Sequence, residues 1–117
     1  MEDVSRKGWK QSEREAAALV GGQRFPANMG GPVDYESDLI VGQDKNVKTA
    51  PLAQVERWAQ DIETVGHNAG KVGLLTVKRS AGVGHKTHRL VVMTSAMFAK
   101  LFHQLKEAVR GLPQGGE

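Results

Sequence analysis

Gln43 and Lys45 stand two positions apart at the polar end of the run LIVGQDKNV. On an extended strand, side chains two apart project to the same face, so an amide carbonyl and an ammonium group stand side by side. Asp34, in GGPVDYESD, lies nine positions before Gln43. A turn between them folds the carboxylate back next to the amide. A carboxylate, a carbonyl and a lysine at the edge of a sheet are the donors needed to hold a divalent cation against a phosphate: oxygen for the cation, positive charge for the anion. Asp38, five positions before Gln43, is a rival for the carboxylate, although that spacing leaves little room for a hairpin. Glu36 is a weaker one. Asp44, of opposite parity, is expected to face away from Gln43 and Lys45. Taken singly, each residue has a plainer reading: Asp34 as a turn aspartate, Lys45 and Lys48 as edge-strand lysines that discourage aggregation.

The elements that must position these residues follow from periodicity. Trp9 to Val20 reads as a helix, with Ser12 and Glu15 at capping-box spacing and an apolar stripe of Trp9, Ala16, Leu19 and Val20. Glu13 falls off that stripe. Gly21 and Gly22 end the helix. Gln23 to Ala27 is extended up to Pro26, and Asn28 to Pro32 is loop chemistry. Val33 to Tyr35 and Asp38 to Lys48 read as strands joined by a hairpin at Glu36-Ser37. Leu39, Val41, Gln43, Lys45 and Val47 share one face of the second. Pro51 opens an amphipathic helix carrying Leu52, Val55, Ala59 and Ile62, which Gly66 and Asn68 to Gly70 end. Trp58 lies beside its stripe. Lys71–Lys78 and Arg89–Thr94 read as buried strands. Ser95 caps a last helix whose Phe98, Leu101, Phe102 and Leu105 form one apolar face. Residues 1–8 and 111–117 read as flexible ends around one domain of residues 9–110. The order is α-β-β-β-α-β-β-α: an α/β fold with a mixed sheet of about five strands, containing one parallel, right-handed crossover.

Composition narrows the class. A chain of 117 residues, 39% hydrophobic and 25% charged, suits one globular domain. No apolar run approaches a membrane span, and no apolar segment follows Met1 as in a secretory leader. Cysteine is absent, which excludes disulfides and thiolate metal sites. The net charge of +3 is compatible with a nucleic-acid partner. An aromatic content of 5% argues against a base-stacking platform.

In this order and with these residues, the chain resembles the PD-(D/E)XK nuclease superfamily, and within it the small Holliday junction resolvase-like nucleases of phages, prophages and archaea. The matching pieces are a glutamate-bearing first helix (SEREAAALVGGQRFP), a glycine-rich loop leading to an aspartate (GGPVD), a strand ending in QDK, an amphipathic helix (TAPLAQVERWAQDIE), and the closing VGLLTVK and RLVVMTSAMFAKLF. The resemblance implies a restriction-endonuclease-like three-layer fold. It also implies a Mg²⁺-dependent, or Mn²⁺-dependent, endonuclease acting on branched DNA as a homodimer in a bacterial cytoplasm, whether host- or phage-encoded. Carried onto these residues, it implies Asp34 and Glu13 as metal ligands, Lys45 as the motif lysine, and Gln43 at a position where the family has Asp or Glu. The backbone carbonyl of Asp44 is a further metal ligand. Gln43 brings an oxygen without charge, so weaker metal affinity is expected, and a non-catalytic DNA-binding protein on a degenerate nuclease fold is the alternative. A small adaptor domain with no nucleic-acid role is a third.

The loop RSAGVGHKTH between the last two strands is basic. GVGHK is too short and wrongly spaced for a P-loop, and His85 and His88 lack further ligands for zinc. Lys86 and Arg89 in this loop, with Lys48 and Arg24 elsewhere, are the expected contacts to DNA phosphates, which position a duplex without reading its sequence. A solvated hairpin loop is the plainer reading of the same residues.

Overall fold

The computed structural model describes residues 4–25 and 31–112, with side chains from residue 10 onward. The element order is α1 (Val4–Leu19), β1 (Gln23–Arg24), β2 (Tyr35–Glu36), β3 (Ile40–Val47), α2 (Leu52–Ala69), β4 (Val72–Arg79), β5 (Arg89–Val92) and α3 (Ser95–Arg110). This is the order expected from periodicity. The five strands form one open sheet in the order β1-β2-β3-β4-β5. Only β3 and β4 run parallel, because α2 carries the chain back between them. The other neighbours are antiparallel. The β2–β3 turn is closed by the Ser37 N–H donating to the Ile40 carbonyl at 2.9 Å.

Each face of the sheet carries one helix. On one face Val41 and Leu75 pack with Ala59 and Ile62 of α2. On the other, Tyr35 packs with Ala16 and Ala17 of α1, with Ile40 and Val20 against them. Two glycines permit this closeness. A Cβ on Gly42 would lie 2.0 Å from the Tyr35 ring. A Cβ on Gly66 would lie 2.3 Å from the Gly73 nitrogen, so Gly66 brings α2 onto β4 rather than ending the helix. The helix ends instead at Gly70, in the left-handed region with φ of 69°, where a side chain would be strained.

Several local expectations are corrected. The first helix begins at Val4, within the stretch read as a flexible end, so Ser12 is a mid-helix residue and not a cap. The buried positions of α1 are Ser12, Glu13, Ala16 and Ala17. Glu13 thus lies on the inward stripe, while Leu19 points outward. Trp9's side chain, the loop positions 26–30 and the tail 113–117 lie outside the described residues. Pro51 occupies the cap position of α2 rather than its first turn. Thr94, not Ser95, caps α3: its hydroxyl accepts the Met97 N–H at 3.2 Å. Glu63 of α2 in turn accepts the Thr94 N–H at 2.8 Å and its hydroxyl at 2.7 Å. Beyond that anchor no residue of α3 is buried. Phe98, Phe102 and Leu105 are 60%, 52% and 62% exposed, so among the described residues nothing covers these positions of the apolar face. The molecule is accordingly elongated, 61 × 33 × 28 Å. Among the described residues, no helix is long and apolar enough to cross a membrane.

Candidate active site

The site is built where β2 leaves β3. Tyr35 pairs with Gly42, so one further step in register sets Asp34 opposite Gln43. Asp34 donates its N–H to the Gly42 carbonyl and accepts the Phe25 N–H on its own carbonyl, both at 2.8 Å. The next β3 donor, the N–H of Asp44, has no β2 carbonyl to meet. The Asp34 carboxylate takes that place, with Oδ2 accepting at 2.9 Å. The side chain is therefore held at the fork of the sheet by its own backbone and by its neighbour's. Asp38, the rival carboxylate, lies exposed in the β2–β3 turn. Glu36 faces Lys71 at 3.6 Å.

Glu13 reaches the same fork from α1. Its carboxyl accepts a hydrogen bond from Arg24 Nε at 3.0 Å and lies near enough to Asp34 to feel its charge. Burial raises the Glu13 carboxyl above its ordinary range; Arg24 opposes this and the Asp34 charge adds to it. Burial likewise raises Asp34, against the pull of the Asp44 N–H, of Lys45 and of Glu13. Two acids thus stand together in a place where burial disfavours charge on both. Arg24, one of the expected phosphate contacts, pairs through Nε with Glu13.

Gln43 and Lys45 share the α2 face of β3 with Val41, opposite Leu75 and Val77 of β4. Lys45 Nζ sits 5.0 Å from the centroid of the Trp58 ring, a cation–π contact that fixes the ammonium group against α2. Trp58 is therefore both a core residue and the platform of the lysine. Its position four residues before Ile62 was legible as helix packing, but nothing in the local spacing tied it to Lys45. The Gln43 side-chain amide has no hydrogen-bond partner among the described residues. The Asp44 carbonyl shares the Asp34 edge of β3, since N–H and C=O of a strand residue point the same way.

The Asp44 carboxylate behaves differently. It is 2% exposed and lies on the α1 face, away from Lys45. Its Oδ2 accepts from the Ser12 hydroxyl. Its Oδ1 accepts from Thr76 Oγ1 at 2.7 Å and from Arg89 Nε at 3.3 Å. Arg89 also donates to the Ser12 carbonyl at 3.2 Å and to its hydroxyl at 2.7 Å, and pairs with Glu15 at 3.3 Å. The expectation that Arg89 contacts DNA is thereby corrected: its guanidinium neutralises a buried carboxylate. Lys48 and Lys86 do remain exposed, with no ion-pair partner among the described residues.

Among the described residues, no three His, Cys, Asp or Glu side chains converge as a ready-made metal cage. The donors at the fork number two carboxyls, one free amide and one carbonyl. All are hard oxygens, which suit Mg²⁺ or Mn²⁺ and not a thiophilic ion. Comparison with protein-family models, with curated proteins and with solved structures returned no match.

Proposed function

We propose that the chain is a metal-dependent endodeoxyribonuclease of the PD-(D/E)XK superfamily, with a restriction-endonuclease-like fold, that hydrolyses phosphodiester bonds in branched DNA as a pair of identical chains. One observation carries the reading: the Glu13–Asp34 carboxyl pair at the fork between β2 and β3, with Gln43 opposite Asp34 and Lys45 next on the same face. A bound Mg²⁺ or Mn²⁺ supplies a Lewis acid that lowers the pKa of water and offsets phosphate charge. Glu13 and Asp34 would hold it, with the Gln43 amide and the Asp44 carbonyl as neutral donors. Lys45, steadied by Trp58, supplies the positive charge that orients the attacking hydroxide and offsets the charge growing on the phosphate oxygens. Hydrolysis adds water across one P–O ester bond, so no further reactant is required.

Two carboxyls and one uncharged amide make a weakly charged site, and this favours a second reading, a DNA-binding protein that has lost cleavage. A panel of four-way, flap and linear duplex DNAs with Mg²⁺ or Mn²⁺ separates the two. The nuclease reading expects cleavage that falls by about 10²-fold or more in Asp34→Ala and in Lys45→Ala, with the fold intact by circular dichroism. Binding to branched DNA without cleavage by the wild type establishes the second reading. Equal cleavage by all three proteins removes the site assignment.

A further inference from the structure

A recess of about 650 Å³ lies beside α3, at the amino ends of β3 and β4. Its apolar walls are Leu39, Ile40, Val72 and Leu74 from the sheet side and Met97 and Leu101 from the helix. Ile40 pairs with Val72 and Gly42 with Leu74, so Ile40, Val72 and Leu74 share the α1 face of the sheet. Lys45 lies on the opposite face, toward the other end of β3, and the recess is therefore separate from the proposed active site. Leu74 is 8% exposed and Leu39 is 74% exposed, so the recess descends from an open apolar edge to the sheet itself.

Only Met97 and Leu101 of α3 are partly covered, and every residue from Phe102 to Leu112 is exposed. The second half of the helix therefore projects past the body as an arm. Phe102, Leu105, Val109 and Leu112 on the arm continue the apolar row begun by Phe98. Leu101 joins that row to the recess. It lines the recess and neighbours Phe98 and Leu105 on the helix surface, at spacings of three and four. Row and recess are thus one continuous apolar surface, of the kind that marks a site of association.

The row is complementary to itself. Run antiparallel to a second copy, Phe98 falls opposite Val109 and Phe102 opposite Leu105, and the two helix dipoles oppose. A parallel partner would set each phenylalanine on its own twin. The 16 residues of α3 span about 24 Å. Antiparallel pairing therefore carries the last turn of each helix to the first turns of the other, where Met97 and Leu101 wall the recess. We infer that the recess is the seat for the end of α3 from a second copy of this chain, with Val109 and Leu112 closing it against Leu39. A two-fold axis forms the contact twice in one dimer, so each copy lends an arm and receives one. The contact stands on the helix and the recess alone and does not depend on the nuclease reading.

The test uses engineered cysteines and sedimentation. The chain has no cysteine, so an introduced pair is its only source of disulfides. Leu39→Cys/Leu112→Cys should form a covalent dimer on oxidation at micromolar concentration, and neither single variant should. Leu39 lines the recess by the first turns of α3, about 24 Å from the far end, which is beyond the reach of a disulfide within one copy. Leu52 is 83% exposed but lies outside the recess, so Leu52→Cys/Leu112→Cys should stay unlinked. Leu39→Asp, at an exposed position, should keep the fold and raise the dimer dissociation constant about tenfold or more. Absence of the Leu39–Leu112 link, or an unchanged dissociation constant in Leu39→Asp, overturns the recess as the seat and leaves helix against helix alone. A wild-type monomer overturns the exchange outright. An anilinonaphthalene sulfonate dye should bind Phe102→Asp and be displaced from wild type as dimer forms. Constant dye binding by the wild type overturns the inference in favour of a recess open to a small apolar ligand. Cleavage plays no part in these readouts, so failure of the nuclease reading leaves them unchanged.

Discussion

Glu13 and Asp34 set the terms at the scale of single residues. Both carboxyls are raised by burial, from reference values of 4.5 and 3.8. An acid that holds its proton more tightly when folded contributes stability below its unfolded pKa, and loses it as pH rises through the folded value. The pair therefore destabilises the chain progressively from about pH 4 upward. Asp34→Asn, which retains an oxygen for the Asp44 N–H, is expected to melt higher than wild type at pH 7 and to show a shallower decline between pH 4 and 7 by scanning calorimetry. Mg²⁺ should raise the wild-type melting temperature and leave that of Asp34→Asn nearly unchanged, since a ligand stabilises only the state that binds it. Asp34 was legible in the sequence because a hairpin needs room and Asp38 leaves too little. Glu13's inward position was not. Its neighbours Ala16 and Ala17 are small, and a stripe drawn through Trp9 and Leu19 turned the helix by a wrong angle. Three buried polar or charged residues, Ser12, Glu13 and Thr76, look like surface in any hydropathy pattern, because their partners lie far off in sequence.

Among the elements, α3 departs furthest from expectation. Its periodicity correctly gave a helix with one apolar face. Periodicity cannot say what covers a face, and here nothing among the described residues does. Phe98, Phe102, Leu105, Val109 and Leu112 are all more than half exposed and follow one another at steps of four, three, four and three residues. That is heptad spacing, the pattern of a helix seam that packs against another helix. Set antiparallel against a second copy, Phe98 meets Val109 and Phe102 meets Leu105, so large side chains face smaller ones. The flanking Lys106 then faces Ala99 rather than a like charge. A second copy of α3 is thus the cover the proposed paired nuclease would use. Wild type should sediment as a dimer at micromolar concentration, and Phe102→Asp as a monomer with unchanged helix content. A wild-type monomer, with and without DNA, counts against the seam and against paired cleavage. The sheet itself was readable more fully. The ends of β2 to β5 shifted by at most two residues, and the parallel crossover and the β2–β3 hairpin followed from the spacing of Gly, Pro and apolar runs; that spacing left open whether the last two strands pair, and they do, antiparallel.

For the molecule as a whole, Asp44 is the residue that joins the layers. Its N–H holds the Asp34 carboxylate at the fork. Its carboxylate gathers Ser12 of α1, Thr76 of β4 and Arg89 of β5. Removing one member of a buried ion pair leaves the other charge uncompensated. Asp44→Ala should therefore cost about 3 kcal/mol in urea denaturation, while Asp44→Asn, which keeps acceptors for Ser12 and Thr76, costs less. An equal loss in both variants would assign the effect to the charge alone.

This knot of side chains also ties the start of the chain to its end. Ser12 and Arg89 are 77 positions apart, and Ser12 adjoins the glutamate that completes the carboxyl pair. On the ribosome, α1 and the fork between β2 and β3 emerge long before Arg89 does. Until that arginine arrives, Ser12 and the buried Asp44 carboxylate lack their shared cation, and α1 is held by its packing on Tyr35 and by the Glu13–Arg24 pair. A chain interrupted ahead of β5 thus carries Glu13, Asp34, Gln43 and Lys45 but lacks the cation that joins α1 to Asp44.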